Sequence, residues 1–343
     1  MRYSRTLPED FEQLLLPGGS LRFVVDLVVQ SGPCATDKAL DLQLREDGGT
    51  RRKVTLYRGG TAILHMRLDR RKGTLKLWAH DEYQKQFQAL GLSPSYTIGD
   101  SKGLSTGITG YLKNVSVGPH HFEREGGCEN WLSHRYGSHW QTGECVAVDR
   151  EVVLGYENES EKDAEWRRPI KTRFDEFGVG LPALMQSRFN LPVQRKTVGN
   201  ELDLLLWRPS TGEFLITEVK DGGDAAGVYR SPIQVAAYLA AWRRFVEALP
   251  EDALDGVRSL LAQKIRLGLI PGGVPLPETI CLSALRPVII VQNPNRRSRC
   301  WKTLDGILQL LQEAMPGCLD GLGLWAVEDN ALTDITDTWR KWA

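Results

Sequence analysis

An apolar hairpin that carries charged side chains near one end limits the folds open to this chain. Two short apolar runs, 201–207 and 214–220, predict paired strands joined by a turn that contains Pro, Ser and Gly. Because side chains alternate along a strand, Glu218 and Lys220 share one face, and strand pairing is expected to bring Asp203 opposite them. Charges inside an apolar hairpin need a counter-charge or a metal. The hairpin therefore predicts a polar site within the core.

A nearly apolar helix is predicted directly after the hairpin. Ser231 is its expected amino-terminal cap, Pro232 stands at its first position, and the pattern runs to about residue 248. In the next ten positions only Gln234 and the hydroxyl of Tyr238 are polar, and a spacing of four places them on one helix face. A helix this apolar is expected to be buried, so both polar groups need partners inside the protein.

The combined pattern resembles that of the PD-(D/E)XK nuclease superfamily, and its Gln-x-x-x-Tyr pair resembles the RecB-like and Cas4-like branches. The residues that carry the resemblance are Asp203, Glu218-Val219-Lys220, Gln234 and Tyr238. The resemblance covers about residues 155–330. It implies a restriction-endonuclease-like α/β core, in which helices flank a mixed sheet.

The resemblance also implies a metal-dependent active site. The implied catalytic residues are Asp203, Glu218, Lys220, Gln234 and Tyr238. Asp203, Glu218 and the Val219 carbonyl would bind Mg²⁺ or Mn²⁺, which prefer such oxygen ligands. Lys220 would orient or deprotonate the attacking water, and hydrolysis would leave 3′-hydroxyl and 5′-phosphate ends.

An upstream helix is expected to open near Ser160, to kink at Pro169 and to stop at Gly178. The resemblance implies a further acid on this helix, and four candidates remain open: Glu159, Glu161, Asp163 and Glu165. Of these, Asp163 best shares the apolar face of Trp166.

The amino-terminal part has a different character. Short β-branched runs predict strands at 21–29, 39–45, 53–58, 61–69 and 74–79. Turns are predicted at Gly48-Gly49, Gly59-Gly60 and Lys72-Gly73. A short helix is expected at 81–91, and residues 99–143 are interpreted as irregular loops. These features indicate a β-rich domain over residues 1–150, for recognition of substrate or partner, followed by a nuclease domain over 151–343.

The remaining elements favour an α/β carboxyl-terminal domain. Further strands are predicted at 146–155, 286–292 and 322–328, and further helices at 253–266 and 300–314. This alternation indicates a mixed sheet.

Net charge excludes the simplest kind of nucleic-acid binder. The 343 residues contain 43 basic and 43 acidic side chains, so a nucleic-acid partner needs a local patch or a metal. Residues 51–72 hold eight basic side chains and one acid, Asp69. The run is interpreted either as a solvated strand edge or as a surface for a phosphate backbone. A second cluster, with Arg296, Arg297 and Arg299, precedes a predicted helix and is expected either to bind substrate phosphate or to form a charged loop tip.

Cysteine usage favours thiols over disulfides. The six cysteines are Cys34, Cys128, Cys145, Cys281, Cys300 and Cys318, and no two form a Cys-x-x-Cys pair. Cys281, Cys300 and Cys318 also lack the clustered spacing of an iron–sulfur site. The series Cys128, His134, His139 and Cys145 has the ligand types of a zinc site at an uncommon spacing. Polar loop histidines beside two thiols are the favoured interpretation.

No signal peptide or membrane-spanning run is apparent, and a cytoplasmic protein without membrane contact is expected. The leading hypothesis is a Mg²⁺-dependent deoxyribonuclease acting in phage defence or DNA repair, with DNA favoured over RNA on family grounds alone. The alternative is a catalytically silent module that binds nucleic acid or protein on a nuclease-like scaffold. A third hypothesis is a subunit that acts only with a protein partner, and a homo-oligomer is also compatible with the sequence.

Overall fold

The computed structural model describes residues 1–32, 39–47, 51–195 and 197–343. Cys34 and the turn predicted at Gly48-Gly49 lie outside the described residues. The chain forms two compact units. The amino-terminal unit comprises Ser4–Ala147 and Gly256–Leu276, and the carboxyl-terminal unit comprises Met1–Tyr3, Val148–Asp255 and Pro277–Ala343. The division into two functional domains at residue 150 stays a prediction.

An antiparallel sheet of five strands forms the centre of the amino-terminal unit. Its strands lie in sequence order: β1 (Leu40–Asp47), β2 (Arg51–Arg58), β3 (Thr61–Asp69), β4 (Thr74–Trp78) and β5 (Ser95–Thr97). The strands predicted at 39–45, 53–58, 61–69 and 74–79 are confirmed, as are the turns at Gly59-Gly60 and Lys72-Gly73. Alternation buries one apolar face, which includes Leu44, Val54 and Met66.

The strand predicted at 21–29 is wrong. This segment forms the helix α2 (Arg22–Gln30), which follows α1 (Glu9–Leu15). Its buried valines, Val24, Val25 and Val28, have helical spacing. The valines favour a strand by intrinsic propensity, but packing of this stripe outweighs that preference.

The interpretation of residues 99–143 as irregular loops is also wrong. They contain α4 (Ser101–Asn114), capped by Asp100, and α5 (Glu125–Arg135). The helix α5 has buried residues all round, including polar ones, so its sequence lacks an apolar stripe. The short helix predicted at 81–91 is confirmed as a 3₁₀ turn followed by α3 (Gln84–Ala89).

A mixed sheet of six strands forms the centre of the carboxyl-terminal unit. Its strands are β6 (Val146–Val152), β7 (Leu202–Arg208), β8 (Glu213–Asp221), β9 (Leu285–Gln292), β10 (Gly323–Glu328) and β11 (Ala331–Asp334), in spatial order 11-10-9-8-7-6. The pair β7–β8 is antiparallel, whereas β9 lies parallel to both β8 and β10. The predicted mixed α/β architecture is confirmed.

The helices of this unit differ from the sequence prediction mainly at their ends. They are α6 (Glu159–Lys162), a π-helical segment (Asp163–Lys171), α7 (Thr172–Phe189), α8 (Ala225–Ala248), α9 (Pro250–Leu267, which continues into the amino-terminal unit) and α10 (Cys300–Ala314). Pro169, at which a kink was predicted, lies in the π-helical segment. The predicted stop at Gly178 is wrong, because α7 continues to Phe189. In the part of the chain that the structure describes, no helix is long and apolar enough to cross a membrane.

The predicted start of α8 at Ser231 is wrong, because Asp224 caps the helix and Pro232 lies inside it. A proline lacks the N–H that would bond to the carbonyl four residues earlier, which here belongs to Val228. The buried hydroxyl of Ser231 donates to the Val228 carbonyl oxygen at 2.7 Å. This bond supplies a donor for the carbonyl and lets the helix pass through the proline.

We therefore expect Ser231→Ala to lower the free energy of unfolding by about 1–3 kcal/mol, because it leaves a buried carbonyl short of a donor. Urea denaturation measures this loss. Ser187→Ala is the matched control, since the exposed Ser187 hydroxyl also donates to a carbonyl three residues earlier, at 3.1 Å. Equal effects of the two substitutions would contradict the proposed role of Ser231.

Candidate metal centre

The candidate site lies on the hairpin β7–β8 in the carboxyl-terminal unit. The register pairs Leu204 with Thr217, so Asp203 stands at the next position, toward Glu218. The backbone N–H of Val219 donates to Asp203 Oδ2 at 2.7 Å. This bond fixes the Asp203 carboxylate against the neighbouring strand, on the side where Glu218 and Lys220 project.

The ammonium of Lys220 lies among three oxygen atoms. It is 2.8 Å from Glu218 Oε1 and 3.6 Å from Asp203 Oδ2, and it donates to the Val219 carbonyl oxygen at 2.7 Å. The Glu218 side chain is 0% exposed and that of Lys220 only 7%. Two carboxylates and one ammonium are thus held together, with Glu218 and Lys220 buried and Asp203 half-buried.

The turn from β8 into α8 brings the helix onto this cluster. The N–H of Gly222 donates to the Gln292 carbonyl oxygen at 2.7 Å, and a Cβ at Gly222 would lie 2.4 Å from the carbonyl oxygen of Asn293. Only glycine allows so close an approach of two backbones. A Cβ at Gly227 would lie 3.3 Å from Lys220 Cδ, which shows that the lysine stem packs against the first turns of α8.

Gln234 and Tyr238 lie one turn apart on α8. Burial raises the pKa of the Tyr238 hydroxyl strongly, and the negative charges of Glu218 and Asp203 raise it further. The hydroxyl therefore stays protonated at neutral pH. The helix that carries Tyr238 packs against β8, the strand of Glu218 and Lys220.

The acids expected on the upstream helix are bound in other ion pairs. Glu159 and Asp163 both pair with Arg167 at 2.6 Å, Glu165 pairs with Arg244 at 2.5 Å, and Glu161 pairs with the amino terminus of Met1. None of these pairs includes Asp203 or Glu218.

The predicted substrate-binding arginines lie in the segment just before α10. Arg296 pairs with Glu328, and its guanidinium lies over the Trp342 ring at 5.1 Å. The N–H of Arg297 donates to Asn295 Oδ1 at 3.2 Å, and Arg299 is the residue that precedes the helix. Their role toward substrate phosphate stays a prediction.

A different set of potential metal ligands occurs in the amino-terminal unit. One carboxylate oxygen of Glu82 and one ring nitrogen each of His120 and His121 lie within 4.8 Å of one another. Glu82 was not predicted, because it is far from the two histidines in sequence and follows no known ligand spacing. In the possible zinc series of Cys128, His134, His139 and Cys145, the ring centroids of His134 and His139 are 6.3 Å apart. Cys128 and His134 are both buried rather than part of an exposed loop.

Comparison of the chain with models of known protein families, with curated proteins and with solved structures finds no significant match.

The buried cluster yields a stability prediction. Lys220→Met keeps most of the side-chain volume but leaves two carboxylates without the ammonium, so we expect a loss of about 3–5 kcal/mol in the free energy of unfolding. Lys302→Met, at an exposed position of the same unit, should change it by less than about 0.5 kcal/mol. Chemical denaturation measures both. A loss for Lys220→Met no larger than for the control would show that the ammonium does not stabilise the carboxylates.

Proposed function

We propose that the chain is a metal-dependent nuclease and that its carboxyl-terminal unit is a PD-(D/E)XK-like catalytic core. The observation that carries this proposal is the convergence of Asp203, Glu218 and the Val219 carbonyl on one cation, the Lys220 ammonium. The setting on a mixed sheet, beneath a helix with Gln234 and Tyr238, supports it further.

The donor atoms fit a hard divalent cation. Two carboxylates and a backbone carbonyl are the oxygen ligands that Mg²⁺ and Mn²⁺ prefer. We infer that Asp203, Glu218 and Val219 would hold the ion. Their position is fixed in advance by the Val219 N–H bond to Asp203 and by the complete burial of Glu218. When bound, such an ion lowers the pKa of a coordinated water and screens the charge of a phosphodiester.

The side chains of the cluster have separate roles in the proposed hydrolysis. The Lys220 ammonium donates hydrogen bonds, so it orients the attacking water and stabilises the negative charge that develops on the phosphoryl oxygens. Water adds to phosphorus as the bond to the 3′ oxygen breaks, which leaves a 3′-hydroxyl and a 5′-phosphate. Burial and the negative charges of Glu218 and Asp203 raise the pKa of the Tyr238 hydroxyl, so it is protonated at neutral pH and can donate a hydrogen bond. DNA is the proposed substrate over RNA.

The decisive experiment incubates the full chain with linear and circular DNA and RNA, in Mg²⁺, Mn²⁺ or EDTA. We expect divalent-dependent cleavage, abolished by Asp203→Asn and lowered about 10²–10⁴-fold by Lys220→Met. Asp252→Asn, at an exposed position of the same unit, is the control and should cleave as the wild type does. Full Mg²⁺-dependent cleavage by Asp203→Asn would refute the assignment.

A second candidate function is a binding module without turnover. It is favoured by the same ion cluster, since the Lys220 ammonium already contacts the three oxygens and partly neutralises the two carboxylates. On this hypothesis the cluster is structural, and the unit binds nucleic acid or a protein partner on a nuclease-like scaffold.

Calorimetric titration separates the two functions. A nuclease centre should bind Mn²⁺ or Mg²⁺ at or below millimolar concentration, and Asp203→Asn should weaken that binding at least about tenfold because one charged ligand is lost. A scaffold should show no difference between the wild type and Asp203→Asn. Folding of the variant is checked by its denaturation profile.

A further inference from the structure

A groove lined by five arginines lies in the amino-terminal unit, outside the site described above. It has a volume of about 610 Å³, and we call it the arginine groove: Arg51, Arg52, Arg67, Arg70 and Arg71. Arg51 and Arg52 begin β2, while the other three lie along the end of β3 and its turn. Antiparallel pairing of β2 with β3 brings these two segments side by side.

The groove carries an excess of positive charge that the described residues do not neutralise. Two acids, Asp10 and Asp69, also line it, so five positive charges face two negative ones. Asp10 pairs with Arg70 at 2.6 Å, and Asp69 pairs with Lys76 at 3.1 Å. Arg52 pairs with Glu46.

Among the side chains that the structure describes, three of the five arginines remain available for a ligand. Within the part of the chain that the structure describes, Arg51, Arg67 and Arg71 have no carboxylate partner. Arg51 and Arg71 are also exposed to solvent. Like charges gathered in one groove repel each other, so a mobile or bound anion is needed to offset them.

Further positively charged side chains lie next to the groove on the same face of the sheet. Arg67 lies opposite Lys76 in the pairing of β3 with β4, and its guanidinium lies 5.6 Å from the Trp78 ring. The Lys53 ammonium lies 5.9 Å from the same ring, and the His65 ring stacks on it at 5.2 Å. Cation–π contacts of this kind hold the charged groups in place on the face of the sheet.

We propose that the arginine groove binds the phosphate backbone of nucleic acid. The choice of nucleic acid among polyanions rests on the proposed function, since a nuclease must hold a phosphodiester chain. The guanidinium fork matches a phosphate group in two parallel hydrogen bonds. The whole chain has no net charge, so the excess at this groove is local and is not a consequence of a basic composition.

The proposal is tested by binding in EDTA, which removes any contribution from a metal centre. Fluorescence anisotropy of labelled single- and double-stranded DNA is measured from low to physiological salt, with the full chain and the double variant Arg51→Gln/Arg71→Gln. We expect the variant to bind duplex at least about tenfold more weakly at low salt. Its plot of log affinity against log salt should be shallower by about 1.8, from two lost phosphate contacts at about 0.9 each.

Matched variants make the result specific. Arg51→Lys/Arg71→Lys keeps both charges and should keep most of the salt dependence, and Arg258→Gln, at an exposed site of the same unit, should bind as the wild type does. Unchanged affinity and salt dependence for the Gln double variant would overturn the proposal. The proposal would also be overturned if the Gln double variant bound DNA as the wild type does but bound anionic phosphatidylserine vesicles more weakly.

The same series distinguishes this proposal from the proposed function. Asp203→Asn should not weaken DNA binding in EDTA, because it removes a negative charge and leaves the arginines of the groove intact. If the Gln double variant bound DNA more weakly but still cleaved short oligonucleotides, the result would support a DNA-binding surface distinct from the catalytic residues. If the arginine groove bound DNA but the chain showed no divalent-dependent cleavage, the result would refute the proposed nuclease function and support the proposed role of the groove.

Discussion

The carboxyl-terminal unit is organised around one buried cation, the ammonium of Lys220, and the oxygens that surround it. Removing two carboxylates and an ammonium from water costs several kcal/mol per ion, and only close pairing offsets that cost. The contacts of 2.7–2.8 Å to the Val219 carbonyl and to Glu218 provide it. The register of β7 and β8 brings Asp203 toward Glu218, and the turn at Gly222 leads into the helix that packs against Lys220.

The surrounding elements depend on that arrangement in turn. The turn before α8 requires glycine at position 222, because a Cβ there would clash with the backbone of Asn293. The helix continues across Pro232 because the Ser231 hydroxyl donates a hydrogen bond to the Val228 carbonyl. A helix set in this way packs against β8, the strand that carries Glu218 and Lys220. The apolar helix excludes water, which strengthens each electrostatic interaction beneath it.

Strand alternation and side-chain chemistry were sufficient to predict the hairpin and its charged end. The predictions failed where local preference and packing disagree: the valines of α2 favour a strand in isolation, and α5 buries polar as well as apolar residues, so no apolar stripe reveals it. The Glu82, His120 and His121 group was missed for a related reason, since ligands distant in sequence meet only through folding.

The amino-acid sequence determined which charged groups the hairpin brings together, because the positions of Asp203, Glu218 and Lys220 follow from a period of two along paired strands. It also determined that the chain has no net charge. Only the tertiary structure decided that the lysine ammonium lies among the oxygens, and that Arg51, Arg67 and Arg71 face one groove without carboxylate partners among the described residues. Charge balance is a sum over the chain, whereas an electrostatic site depends on distances that only packing sets.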